Sequence, residues 1–187
     1  MAADHHLVVF AHGRDSGPWG TKITALAEVA RKAGYAVLSP DYSLTSDPKA
    51  RLAQLLESCP RPSGHLVLVG SSMGGYVSAA AASQLQVSGL FLMAPALYFG
   101  GYELPGPVRV SHCVVVHGWR DAVIPVEVGI RFAREHHAEL IVLDDDHSLT
   151  AQMDMLTTLF AQFLGAVLRD APPHDYPSLD AHSEIGP

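Results

Sequence analysis

Six short apolar runs punctuate the chain, at positions 7–11, 36–38, 66–69, 90–93, 113–116 and 140–143. They are continuous rather than alternating, the pattern of strands covered on both faces, and this predicts a parallel sheet. Between them the apolar positions fall at helical period. Ile23, Leu26, Ala27, Ala30 and Ala33 share one face of a helix, and Gly34 stands where a left-handed residue closes it. Leu149, Met153, Leu156, Phe160, Phe163, Leu164 and Val167 form a longer stripe that predicts the last helix, and alanine-rich 77–82 predicts one pressed tightly on the sheet. The order is strand, helix, strand, helix throughout. It predicts a doubly wound α/β fold with helices on both faces, right-handed crossovers and a ligand site at the carboxyl ends of the strands. Without internal repeat or linker, residues 1–169 read as one domain, and 170–187, with Pro172, Pro173, Pro177 and Pro187, as a tail.

Composition narrows the function. Of the 187 residues 48% are apolar and 17% charged, enough to fill a core and inconsistent with a disordered or coiled-coil chain. Twelve basic against 19 acidic residues leave a formal charge of −7, so there is no basic surface to recruit nucleic acid or anionic membrane. Cys59 and Cys113 make no disulfide framework and read as free thiols. The first residues carry no basic stretch, and the apolar run at 7–11 is too short for a signal core, so a cytoplasmic location is expected.

The run at 66–69 leads into Gly70-Ser71-Ser72-Met73-Gly74-Gly75 and then into the alanine-rich helix, a strand–turn–helix around G-x-S-x-G. A serine held on so sharp a turn needs neighbours without a Cβ two positions away, because strand and helix close on each other there. Gly70 and Gly74 meet that need for Ser72, whereas Ser71 lacks glycine at both distances. The turn also leaves the Met73 N–H at a helix N-terminus, where it can face an oxyanion. The competing reading, a glycine-rich phosphate loop, lacks both the P-loop lysine and the G-x-G-x-x-G spacing.

Together with His12-Gly13, Met93-Ala94-Pro95-Ala96, the loop from His117-Gly118 through Asp121 to Pro125, and His147, this turn resembles the α/β-hydrolase superfamily over about residues 6–168. It is most similar to the small single-domain esterases and thioesterases of that superfamily. The resemblance implies a trimmed sheet of about six parallel strands in order 2-1-3-4-5-6. It also implies no cap domain, since the segment after Ala94-Pro95 is too short for one, and hence an open site. The superfamily places its acid and then its histidine on loops after later strands. Of the 11 histidines His147 fits that place, and Asp121 fits as the acid. Asp144, Asp145 and Asp146 precede His147 on its own loop, where they read either as a solvated acidic turn or as charge acting on the imidazole. The first loop, beginning at His12-Gly13, implies the Arg14 N–H as second oxyanion donor beside Met73. The Arg14 side chain reads as solvent-facing or paired with Asp15, or else as a contact for a carboxylate on the substrate, and His12 as a residue holding the loop.

The expected activity is a serine hydrolase acting on a carboxylic ester or thioester of a small or exposed acyl group: Ser72 attacks, His147 relays the proton, and Asp121 orients His147. His12, Trp19 and Tyr98 are candidate substrate contacts. The partner is then a small molecule, with no cofactor; no histidine pair has metal-binding helical spacing, so no metal is expected either. An amidase or peptidase would use the same residues. A binding module that keeps the fold without catalysis is the alternative from another class.

Overall fold

The computed structural model describes residues 5–172, so most of the proline-rich segment 170–187 lies outside the described residues. The elements run β1 (His6–Ala11), α1 (Thr21–Lys32), β2 (Tyr35–Leu38), α2 (Pro48–Ser58), β3 (Leu66–Ser71), α3 (Met73–Ala82), β4 (Gly89–Met93), β5 (His112–Gly118), α4 (Val126–His136), β6 (Glu139–Leu143) and α5 (Met153–Val167). The six strands form one sheet in order β2-β1-β3-β4-β5-β6, and every neighbouring pair is parallel. No cap domain stands over it among the described residues.

Strand geometry sorts the apolar runs into two cores, because successive side chains point to opposite faces. Leu7, Val9, Ala11, Leu66, Leu68, Leu90, Leu92 and Val115 face one layer, where α2, α3 and α4 supply Leu52, Leu55, Val77, Ala80, Val128 and Phe132. Val8, Phe10, Val67, Val69, Phe91, Met93, Val114 and Val116 face the other, covered by α1 and α5 through Leu26, Ala27, Ala30, Phe160, Leu164 and Val167. All ten residues of α3 are buried: its glycines and alanines let it lie close to the sheet, and Tyr76 and Val77 join the core with them.

The regular alternation fails at one connection. Residues 94–111 join β4 to β5 with no helix among them, since Pro95, Pro105, Pro107, Gly100, Gly101 and Gly106 deny them a helical run. Leu97 and Val108 still reach the core from this segment. Two further differences are local. The strands β2 and β6 are the edges of the sheet, and β6 is only half-buried although its sequence is apolar. The stripe beginning at Leu149 does not all belong to α5, which starts at Met153. Leu149 is buried from a loop at φ +53°, its N–H bonded to the Asp146 carbonyl at 3.3 Å. Helical spacing had included it because a buried loop residue and a buried helix residue look alike in sequence. Gly34 does close α1, at φ +88°.

Candidate active site

The turn between β3 and α3 rests on one strained residue. Ser72 sits at φ +55°, ψ −119°, a region L residues seldom adopt. Backbone bonds on both sides keep it there: its N–H donates to the Met93 carbonyl at 3.0 Å, and its carbonyl accepts the Gly75 and Ala96 N–H groups, each at 2.9 Å. The glycines are there for space. A Cβ on Gly70 would lie 2.2 Å from the Gly74 carbonyl oxygen, and one on Gly74 would lie 1.9 Å from that of Ala11. Strand, turn and first loop are thus packed backbone to backbone, which leaves the Ser72 side chain directed out of the turn.

The loops after β5 and β6 meet because Gly118 has no side chain. A Cβ there would come within 2.5 Å of the Asp145 carbonyl and 2.6 Å of the Asp146 carbonyl. This contact brings together residues 26 apart in sequence: His147 Nδ1 lies 2.7 Å from Asp121 Oδ2. A carboxylate oxygen accepts, so Nδ1 carries the proton and Nε2 is left with its lone pair. Asp121 is fully buried and held on all sides. Its Oδ1 accepts the N–H groups of Val123 (2.9 Å) and Ile124 (2.8 Å). Its Oδ2 also lies 3.3 Å from Nε2 of the fully buried His117, which donates to the Ile124 carbonyl at 2.9 Å.

Ser72 and His147 line one cleft of about 310 Å³, with His12 to Gly17 on one side, Gly20 to Ile23 at the start of α1, and Ser148 and Thr150 beyond His147. That is the lower end of the size range for small-molecule sites. No hydrogen bond joins Ser72 Oγ to His147 among the described residues; such contacts are often long before substrate closes them.

The first loop is anchored from beneath. Arg51 of α2, 1% exposed, donates to the carbonyls of Thr45 (2.8 Å), Gly13 (3.2 Å), His12 (3.3 Å) and Arg14 (3.4 Å). With the carbonyls turned toward Arg51, nothing among the described residues accepts the Arg14 N–H. His12 is locked in the same framework. Its Nδ1 donates to the Gly13 carbonyl at 2.8 Å and its Nε2 accepts the Tyr42 N–H at 3.0 Å. Burial pushes its pKa below the ordinary histidine value, so the ring is a neutral brace for the loop.

The other expected contacts fall elsewhere. Trp19 is half-exposed with Arg31 over its ring, and it is not among the residues lining the cleft. Tyr98 also lies off it, bonded to Glu135 at 2.7 Å with the Arg131 guanidinium 3.8 Å from its ring centre. The Arg14 side chain pairs with Asp15, at 3.3 Å and largely exposed. The acidic run before His147 is not one solvated turn. Asp144 pairs with Arg120, and Asp146 accepts the Ser148 N–H and hydroxyl, which holds its carboxyl below the usual range. Asp145 is 2% exposed and accepts the N–H groups of Asp146 (2.8 Å) and Gln152 (2.9 Å), bracing the loop that carries His147. Arg51 and Lys22 are the site residues that sequence reasoning missed, and for Asp145 it named the residue but not the bracing role; only the tertiary contacts distinguish them from surface charges.

A model of the alpha/beta hydrolase family matches residues 8–184. The chain belongs to that family. The match runs past residue 169 into the proline-rich segment. A crystal structure assigned to the same superfamily, from Xanthomonas campestris pv. campestris, is 34% identical with a TM-score of 0.76, covering 86% of this chain and 98% of that one. Est1E from Butyrivibrio proteoclasticus superposes with a TM-score of 0.75 at 18% identity, over 89% of each chain. An esterase from Pyrococcus furiosus gives 0.67 at 19%, over 86% and 81%. A comparison with curated proteins found no match. Family and fold together support a hydrolase. Among the described residues no helix is long and apolar enough to cross a membrane, and no three histidine, cysteine or carboxylate side chains are grouped to hold a metal.

Proposed function

We propose that this hydrolase cleaves a carboxylic ester or thioester of a small acyl group through Ser72, His147 and Asp121. The observation that carries the reading is the 2.7 Å contact of His147 Nδ1 with buried Asp121, on a cleft that also holds Ser72 at the apex of a strained turn. The esterases among the structural neighbours share the fold and are consistent with this chemistry.

Ser72 Oγ bonds to the carbonyl carbon while its proton passes to His147 Nε2, and Asp121 stabilises the imidazolium that results. The carbonyl oxygen, now negative, is held by the N–H groups of Met73, at the first position of α3, and of Arg14. Collapse breaks the bond to the alcohol or thiol, which leaves with the proton from His147. Water then adds to the acyl-enzyme, giving its proton to His147. The acid departs and Ser72 regains its proton. The cleft is uncapped and about 310 Å³ in volume, which suits a short acyl group better than a long lipid chain.

A fluorophosphonate tests this, because it reacts with an activated serine in a working oxyanion hole. Intact mass should show one adduct on the wild type and none on Ser72→Ala or His147→Ala. Folded wild type that takes no adduct and hydrolyses no activated ester would overturn the reading in favour of a non-catalytic binding module.

A further inference from the structure

We propose that Lys22 selects substrates that carry a carboxylate, binding that group at the α1 side of the cleft while the ester carbonyl lies at Ser72. The inference rests on the hydrolase reading for the reaction and on the cleft itself for the recognition. Lys22 stands in the first turn of α1 and lines the same cleft as Ser72 and His147.

Three aspartates lie within electrostatic range of its ammonium, Asp121, Asp145 and Asp146, and each is already engaged. Asp121 accepts from His147, Val123 and Ile124. Asp145 accepts from Asp146 and Gln152, and Asp146 from Ser148. The other cation lining the cleft, Arg14, is taken by Asp15. The Lys22 ammonium makes no hydrogen bond or ion pair among the described residues.

An ammonium held half out of water with no bonded anion is an unfavourable arrangement. Burial pulls its pKa down to about 8 even though the three aspartates act in the opposite direction. At neutral pH it remains mostly charged. A carboxylate entering the cleft supplies the missing acceptor, and a charge-assisted bond in a partly dry site is among the stronger single polar contacts. Neutral acyl esters offer the ammonium nothing, so the same residue separates the two substrate classes.

The carboxylate can sit on the acyl half or on the alcohol half, and two substrate pairs distinguish them. One compares 4-nitrophenyl half-esters of succinic to adipic acid with the neutral 4-nitrophenyl esters of equal carbon count, spontaneous hydrolysis subtracted. The other compares 4-acetoxybenzoate with its methyl ester. Wild type should prefer the anionic member of at least one pair by about tenfold or more in kcat/KM, expressed in KM. Lys22→Met should bring that ratio to one or below, and Lys22→Arg should restore part of it, which a merely structural role would not do. Calorimetry of glutarate against pentanoate on the wild type and Lys22→Met gives a readout without turnover.

Hydrolysis of the neutral esters with no anionic preference and no Lys22-dependent glutarate binding would overturn this inference and leave the hydrolase reading standing. No hydrolysis of any ester, but glutarate binding lost in Lys22→Met, would overturn the hydrolase reading and support the carboxylate site. Absence of both would sink the two together.

Discussion

Replacing Arg51 by methionine keeps the aliphatic stem and removes the guanidinium that ties α2 to the first loop. Four carbonyls lose a donor, but not equally. The Gly13 carbonyl keeps His12 Nδ1–H at 2.8 Å and the Ser16 hydroxyl at 3.4 Å. The Arg14 carbonyl, 3.4 Å from the guanidinium, lies beside the open cleft, where water can replace a long bond. The carbonyls of Thr45, at 2.8 Å, and His12, at 3.3 Å and buried, bear most of the loss. Bonds from a charged donor contribute about 1.5–3 kcal/mol, and a buried acceptor left alone costs about 1–3 kcal/mol. Against this, the variant no longer buries a cation, whose charged form burial disfavours here. The balance is a loss of about 3 kcal/mol, or roughly 6–12 °C in Tm for a chain of this size. Most of the fold's roughly 5–15 kcal/mol survives at 25 °C, so the site can be assayed in folded protein. The assays are urea unfolding and the rate of fluorophosphonate labelling. Labelling should slow at least about tenfold, because the loop that presents the Arg14 N–H loses its anchor. A stability loss below about 1 kcal/mol together with an unchanged labelling rate would refute the assignment of Arg51 as that anchor.

Gly74→Ala should cost about 3 kcal/mol or more and abolish labelling, because its Cβ would meet the Ala11 carbonyl at 1.9 Å, whereas Gly17→Ala, with open space around it, should stay within about 0.5 kcal/mol in the same urea titration. His12 is neutral in the fold and its pKa is lowered, so the unfolded chain binds the extra proton on acidification: stability is full above about pH 6.5 and falls below it, and calorimetric scans from pH 7.5 to 5 should show His12→Asn losing less over that range. Lys22 has its pKa lowered to about 8, so between roughly pH 8 and 10.5 the unfolded state holds more protons and the cost of the buried ammonium, full below pH 8, disappears as pH rises. Lys22→Met should therefore be more stable than wild type at pH 7 by on the order of 1–2 kcal/mol, with the gap narrowing from about pH 8 and closing above about pH 10.5; an equal or lower stability at pH 7 would show that the ammonium is well solvated.

What the sequence determined by itself is whatever local patterning and short-range geometry dictate. The six apolar runs announced strands covered on both faces, and Gly70 and Gly74 around Ser72 announced a turn too tight for side chains, because strand, turn and helix are consecutive in the chain. Order along the chain, with the family resemblance, was enough to propose Asp121 and His147. Their 2.7 Å contact, however, exists only because Gly118 lets two loops close on each other. Tertiary structure alone decided the rest. It set Leu149 into the core from a loop and kept Trp19 and Tyr98 out of the cleft lining. It also separated charges that look alike in sequence: Asp145 is buried between two N–H groups while Asp144 is exposed beside Arg120, and Arg51 is sealed under the first loop while Arg14 faces water. The reason is physical. Periodicity records which residues leave water, but the worth of a polar group depends on which distant donors and acceptors surround it, and that is set only when the chain closes.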